Sequence, residues 1–226
     1  MAALARALQA RGRLVDVVAL PEHGADDVDR SASALGNVID RAAGDVDLVG
    51  YSLGGLVIRR WYGRAAPAER VRVRLVVSLA TPFGGIELPP HPEWTGTRRC
   101  DDRVACGQVA PGAAYLAAVT AAPRPPRWVA LHSRYDRLVR PERIALLGGD
   151  ADLAVQDACP GARLGHLALR EAPLVVAFVS AVLDGVRPTQ ALRASCDAPS
   201  PSPTPSWRGG GEPAHGSVRD RADERA

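Results

Sequence analysis

The run VDLVGYSLGGLVIRRWY, residues 46–62, constrains the fold more than any other part of the chain. An apolar, strand-like stretch enters a glycine-bounded turn, and an apolar helix follows from about Gly54 to Tyr62. At the turn stand Gly50, Tyr51, Ser52, Leu53 and Gly54, a G-x-S-x-G pattern between a strand and a helix. A turn this sharp calls for small residues two positions either side of the serine, and it leaves the hydroxyl exposed at a helix N-terminus. There the backbone N–H of Leu53 and the helix dipole can stabilise an oxyanion. Ser52 is therefore a candidate nucleophile and Leu53 a candidate oxyanion donor. The alternative is a glycine-rich turn that carries an incidental serine.

The same alternation extends to both sides of this run. Ala2–Gln9 reads as a helix with Leu4 and Leu8 on one face and Gly12 as its stop. Arg13–Leu20 (RLVDVVAL) reads as a strand halted by Pro21, followed by a polar loop through His23, Gly24 and Asp26. Val28, Ala32, Leu35, Val38, Ile39 and Ala42 recur at helical spacing, with Asp26 or Asp27 as cap and Gly44 as terminator. Arg72–Ala80 and Trp128–Ser133 are further strands, Leu153–Gln156 a weaker one, and Ala172–Asp184 a last helix ended by Gly185. Strands alternating with helices predict an α/β fold: a mostly parallel sheet with helices on both faces.

Composition bounds the function. With 28 basic and 25 acidic residues the net charge is +3, and no basic run exceeds a pair, so neither nucleic acid nor an anionic membrane surface is indicated. The longest nearly apolar stretch, Ala172–Leu183, is 12 residues and too short to span a bilayer. The N-terminus carries no signal-peptide pattern. From about Arg187 a Pro-, Ser- and Gly-rich stretch takes over, which predicts a domain over residues 1–186 and a disordered tail over 187–226. Residues 81–127 form a long insertion of weak periodicity, expected to act as part of a substrate rim or a short lid.

LPEHG, VDLVGYSLGG and SLATPFGG, in that order, resemble segments of the α/β-hydrolase family, more closely its bacterial lipase and esterase branch. The likeness covers roughly residues 1–185 and implies a chain order of Ser, then an acid, then His. Of the five histidines, His215 falls in the tail, His23 and His91 in loops suited to surface or rim roles, and His132 inside a strand. His166, after the last strand and before the last helix, occupies the place of the family's base. Asp136 follows the strand Trp128–Ser133 and matches the family's D-x-x-V-x-P pattern, while Asp150, Asp152 and Asp157 are adequately explained as solvated turns. The expected activity is hydrolysis of carboxylic esters, small-molecule or lipid, through Ser52, His166 and Asp136 and an acyl-enzyme, by a monomer.

No cofactor is implied, and the cysteines and histidines lack C-x-x-C or H-x-x-x-H spacing, so no metal site is expected. Four cysteines allow three pairings, of which Cys100–Cys106 with Cys159–Cys196 is the expected one and fits a secreted protein. Four free thiols would instead fit a cytoplasmic one. The family's third strand, whose loop supplies a second oxyanion N–H, has no counterpart ahead of the first helix. That predicts a late start site or a fragment, or else a catalytically impaired relative acting as an interaction protein.

Overall fold

Neighbouring side chains along the central strands enter two different apolar clusters, which shows why the sheet has helices on both sides. In the structure, a computed structural model that describes residues 1–24, 26–86, 104–125, 127–141 and 151–197, the strands are β1 (Val46–Tyr51), β2 (Val73–Leu79), β3 (Trp128–His132) and β4 (Ala151–Ala154). They pair in parallel, in chain order. Val73 and Val76 of β2 and Trp128 and Ala130 of β3 enter one apolar cluster, whereas Leu75, Val77, Leu79, Val129 and Leu131 enter the other. From Leu75 onward this is period-two alternation with both faces apolar, as a fully covered parallel strand requires; between Val73 and Leu75 the register against β1 shifts by one residue.

The first cluster is closed by α2 (Val28–Arg41), α3 (Leu53–Arg64), α5 (Val104–Gln108) and α6 (Ala114–Ala121); a short α4 (Pro67–Arg70) leads into β2. The second is closed by α1 (Ala2–Ala10), α8 (Pro173–Leu183) and α9 (Pro188–Ser195), with a one-turn α7 (His166–Leu169) before them. Asp27 caps α2 by accepting from the N–H of Asp29 at 2.8 Å, which settles the choice between Asp26 and Asp27.

Two sequence expectations change. Arg13–Leu20 is extended but not a strand, because no described segment pairs with it. It borders an apolar cavity of about 1030 Å³ whose lining also includes β1 from Val46 to Tyr51 and the core side chains Leu35, Ile39, Val57 and Ile58. Pro188–Ser195, assigned by composition to the tail, is helical: Ala191 and Leu192 are buried, and Cys196 is bonded to Cys159 with Cα atoms 5.4 Å apart. The remaining tail, 198–226, and Cys100 of the other expected pair lie outside the described residues.

The described part of the insertion includes two helices and is tied to α2. Gln108 donates to Asp27 Oδ1 at 2.7 Å and accepts from the N–H of Val28 at 2.9 Å. The Tyr115 hydroxyl donates to Asp29 Oδ1 at 2.7 Å, and Arg60 grips the same carboxylate at 2.5 and 2.9 Å. The hydrogen bond from Arg60 is the main reason that Asp29 is held down to about 2, against the resistance of partial burial. The insertion's two described helices are thus fastened by charge-assisted bonds to the start of α2. Residues 87–103 lie outside the described set.

Candidate active site

Ser52 sits at the junction of β1 and α3 with φ 52° and ψ −123°, a backbone conformation that costs a non-glycine residue of order 1–3 kcal/mol. The neighbours hold it there. Its N–H donates to the carbonyl of Leu79 on β2 at 2.8 Å, and a Cβ on Gly50 would lie 2.6 Å from the backbone N of Gly55. Strand and helix therefore meet so closely that only glycine fits position 50. Gly54, the second glycine of the pattern, has open space around its would-be Cβ; the crowded position is Gly55, against Thr81. Of the two glycines that let the helix start close to the strand, Gly54 and Gly55, it is Gly55 that the packing requires. Leu53 opens α3, so its N–H belongs to a first turn without intrahelical acceptors.

Two other loops converge on the serine. His166 begins α7 and is 8% exposed; its Nε2 lies 3.0 Å from Ser52 Oγ and its Nδ1 2.6 Å from Asp136 Oδ2. Asp136 follows β3 in a turn closed by its own N–H to the Ser133 carbonyl at 3.1 Å. Its second oxygen, Oδ1, accepts from the N–H groups of Leu138 and Val139, each at 2.9 Å. The carboxylate therefore has one oxygen fixed by the backbone and the other aimed at the imidazole. A carboxylate at Nδ1 puts the proton on that nitrogen and leaves Nε2 free to accept from the serine hydroxyl. Ser52, His166 and Asp136, far apart in the chain, are brought into one hydrogen-bonded line.

No family model matches the sequence, and no curated protein does. Among solved structures the chain is similar to Aspergillus fumigatus lipase B, at 16% identity and a TM-score of 0.63 over 78% of this chain and 48% of that one. It is also similar to a metagenomic carboxyl esterase, at 17% identity and a TM-score of 0.54 over 85% of this chain and 67% of that one. The protein has the α/β-hydrolase fold. It spans about half the length of the fungal lipase it matches.

In this α/β-hydrolase fold Tyr51, inside the serine pattern, does something its place in the motif does not announce. Its hydroxyl donates to the carbonyl of His166 at 2.9 Å, and the two rings lie 5.0 Å apart. Burial raises the phenol's pKa, so it stays a neutral donor. Of the other histidines, His23 is exposed in the turn Pro21–Gly24, and His132 is half-buried at the end of β3, its basicity lowered by burial. Asp152 lies on β4 and Asp157 accepts from the N–H of Ala154 at 2.8 Å, so neither faces the imidazole as Asp136 does. His91, His215 and Asp150 lie outside the described residues. Ser52, His166 and Asp136 are not among the residues lining the large cavity beside β1. Among the described residues no cluster of His, Cys, Asp and Glu could hold a metal ion, and no helix is long and apolar enough to cross a membrane.

Proposed function

We propose that the protein is a serine hydrolase of carboxylic esters, with Ser52 as nucleophile, His166 as general base and acid, Asp136 as the orienting acid and Leu53 N–H as one oxyanion donor. The reading rests on the continuous line from Ser52 Oγ to His166 Nε2, 3.0 Å, and from His166 Nδ1 to Asp136, 2.6 Å. As Ser52 Oγ bonds to the ester carbonyl carbon, its proton passes to Nε2 and the carbonyl electrons collect on oxygen, in front of the first turn of α3. Collapse of that intermediate breaks the bond to the alkoxy oxygen, which takes the proton from His166 and leaves as the alcohol. Water then attacks the acyl-serine by the same route and releases the acid. The strained backbone of Ser52 keeps the hydroxyl on the tip of the turn, so the serine needs no rearrangement to reach a carbonyl.

Lipid and other acyl esters are the proposed substrates, and the Cys159–Cys196 bridge supports a secreted protein. A fluorophosphonate probe tests the reading. The expected outcome is covalent labelling at Ser52, abolished in Ser52→Ala, with parallel loss of p-nitrophenyl butyrate hydrolysis. A folded protein that neither labels nor hydrolyses would exclude the enzyme and leave a non-catalytic interaction protein.

A further inference from the structure

Gln156 lies in the one-turn helix that follows β4, its side chain is not part of the line of three residues, and it is 9% exposed. Both N–H donors of its amide and one lone pair of its oxygen are used. Oε1 accepts from the N–H of Arg134 at 2.9 Å, while Nε2 donates to Ser133 Oγ at 3.1 Å and to the carbonyl of Ala162 at 2.7 Å. The N–H donor at one end and the carbonyl acceptor at the other fix which way the amide points.

The partners are the significant feature. Ser133 and Arg134 form the turn that carries Asp136: the Ser133 carbonyl accepts from the Asp136 N–H and its Oγ from the Tyr135 N–H at 3.2 Å. Ala162 belongs to the loop that carries His166 four residues later. Gln156 thus bonds simultaneously to the segment bearing the acid and to the segment bearing the base. The adjacent Asp157 adds an ion pair to the side chain of Arg134 on the same turn.

We infer that Gln156 is the positioning residue that sets the Asp136–His166 hydrogen bond, by clamping the acid turn to the histidine loop. The proposal rests on the triad reading above and deepens it. A 2.6 Å contact between two side chains on separate loops persists only if the loops themselves are held to a few tenths of an ångström, and a misplacement of about 1 Å costs about 100-fold in rate.

The test uses Gln156→Glu and Gln156→Leu in the full chain. The glutamate keeps the length and the acceptor for Arg134 but sets a carboxylate oxygen against the Ala162 carbonyl. The leucine removes all three bonds. Two quantities are read: the far-downfield proton NMR signal of His166 Nδ1–H, identified by its disappearance in His166→Gln, and kcat and KM for p-nitrophenyl butyrate. Expected are proteins with native circular dichroism, a signal shifted upfield or broadened away, kcat lower by about 10- to 100-fold and KM within about twofold. If Gln156→Leu does not fold, Gln156→Glu decides alone. An unmoved signal with kcat within twofold of the parent overturns the inference. The NMR arm needs no activity, so a parent protein that fails to hydrolyse esters refutes the Ser52 reading while leaving the positioning of Asp136 and His166 separately measurable.

Discussion

Replacing Asp136 by asparagine separates the catalytic from the structural role of the carboxylate, because the structure dictates how the amide must sit. Oδ1 accepts two backbone N–H groups, from Leu138 and Val139, and an NH₂ group cannot replace it there. The asparagine oxygen therefore takes that position and its NH₂ points at His166 Nδ1, where the carboxylate oxygen was. Nδ1 must then accept, the ring proton moves to Nε2, and Nε2 presents a hydrogen to Ser52 Oγ in place of a lone pair. That wrong tautomer is expected to lower kcat about 10⁴-fold, or about 5 kcal/mol of transition-state stabilisation. Stability should change by no more than about 1 kcal/mol, since both backbone bonds and the side-chain contact survive with one polarity reversed. The assay is steady-state hydrolysis of p-nitrophenyl butyrate and the rate of fluorophosphonate labelling, with urea unfolding as the structural control. A variant within tenfold of the parent would refute the argument, since His166 would then be oriented by something other than Asp136.

Distances elsewhere in the molecule set three other outcomes. Gly50→Ala places a methyl 2.6 Å from the Gly55 nitrogen, so it should cost roughly 3 kcal/mol and the labelling of Ser52, whereas Gly54→Ala, with open space, should be neutral or slightly stabilising in urea unfolding. Equal effects would show that crowding does not govern the turn. Replacing Cys159 and Cys196 together by serine removes a bridge between residues 37 apart and should lower stability by about 4 kcal/mol in the chain-entropy model; an unchanged urea midpoint would contradict this. Asp29→Asn should cost about 1 kcal/mol near neutral pH, a value reduced for solvent screening of a partly exposed pair. Because Arg60 depresses that carboxyl to about 2, its contribution is complete above pH 4 and fades as pH falls towards 2, so parent and variant midpoints should converge there.

Features written in local periodicity or in one motif are legible in the sequence. The apolar spacing of Val28 to Ile39 marks α2, and the runs around Val49, Val76 and Val129 mark three of the four parallel strands. The order of Ser52, Asp136 and His166 adds three loops that the structure brings together. Features that depend on partners distant in the chain are not legible. Residues 114–121 are apolar on every side and carry no period, and α6 is anchored instead by Tyr115 on Asp29 and by Arg59, whose guanidinium reaches the Thr120 carbonyl at 2.8 Å. Pro188–Ser195 is hidden by the Pro-, Ser- and Gly-rich composition of the residues after it, although its packing rests on Ala191 and Leu192. Gln156 has no sequence signal, since its meaning lies in Ser133, Arg134 and Ala162.

The segment Arg13–Leu20 shows the limit most clearly. Its Val- and Leu-rich pattern expresses a preference for extended backbone, and the backbone is indeed extended. A strand, however, is defined by a ladder, and a ladder needs a neighbour at about 4.8 Å. Here the residues from Arg13 to Val18 and the outer edge of β1 line the same apolar cavity, joined by the side chains of Arg13 and Asp47 but by no backbone ladder, so Leu14 and Val17, which a sheet covered on both faces would bury, are exposed. Periodicity can therefore state which face of a segment would be buried in a sheet. Whether the sheet reaches that segment depends on residues that no local pattern in Arg13–Leu20 contains.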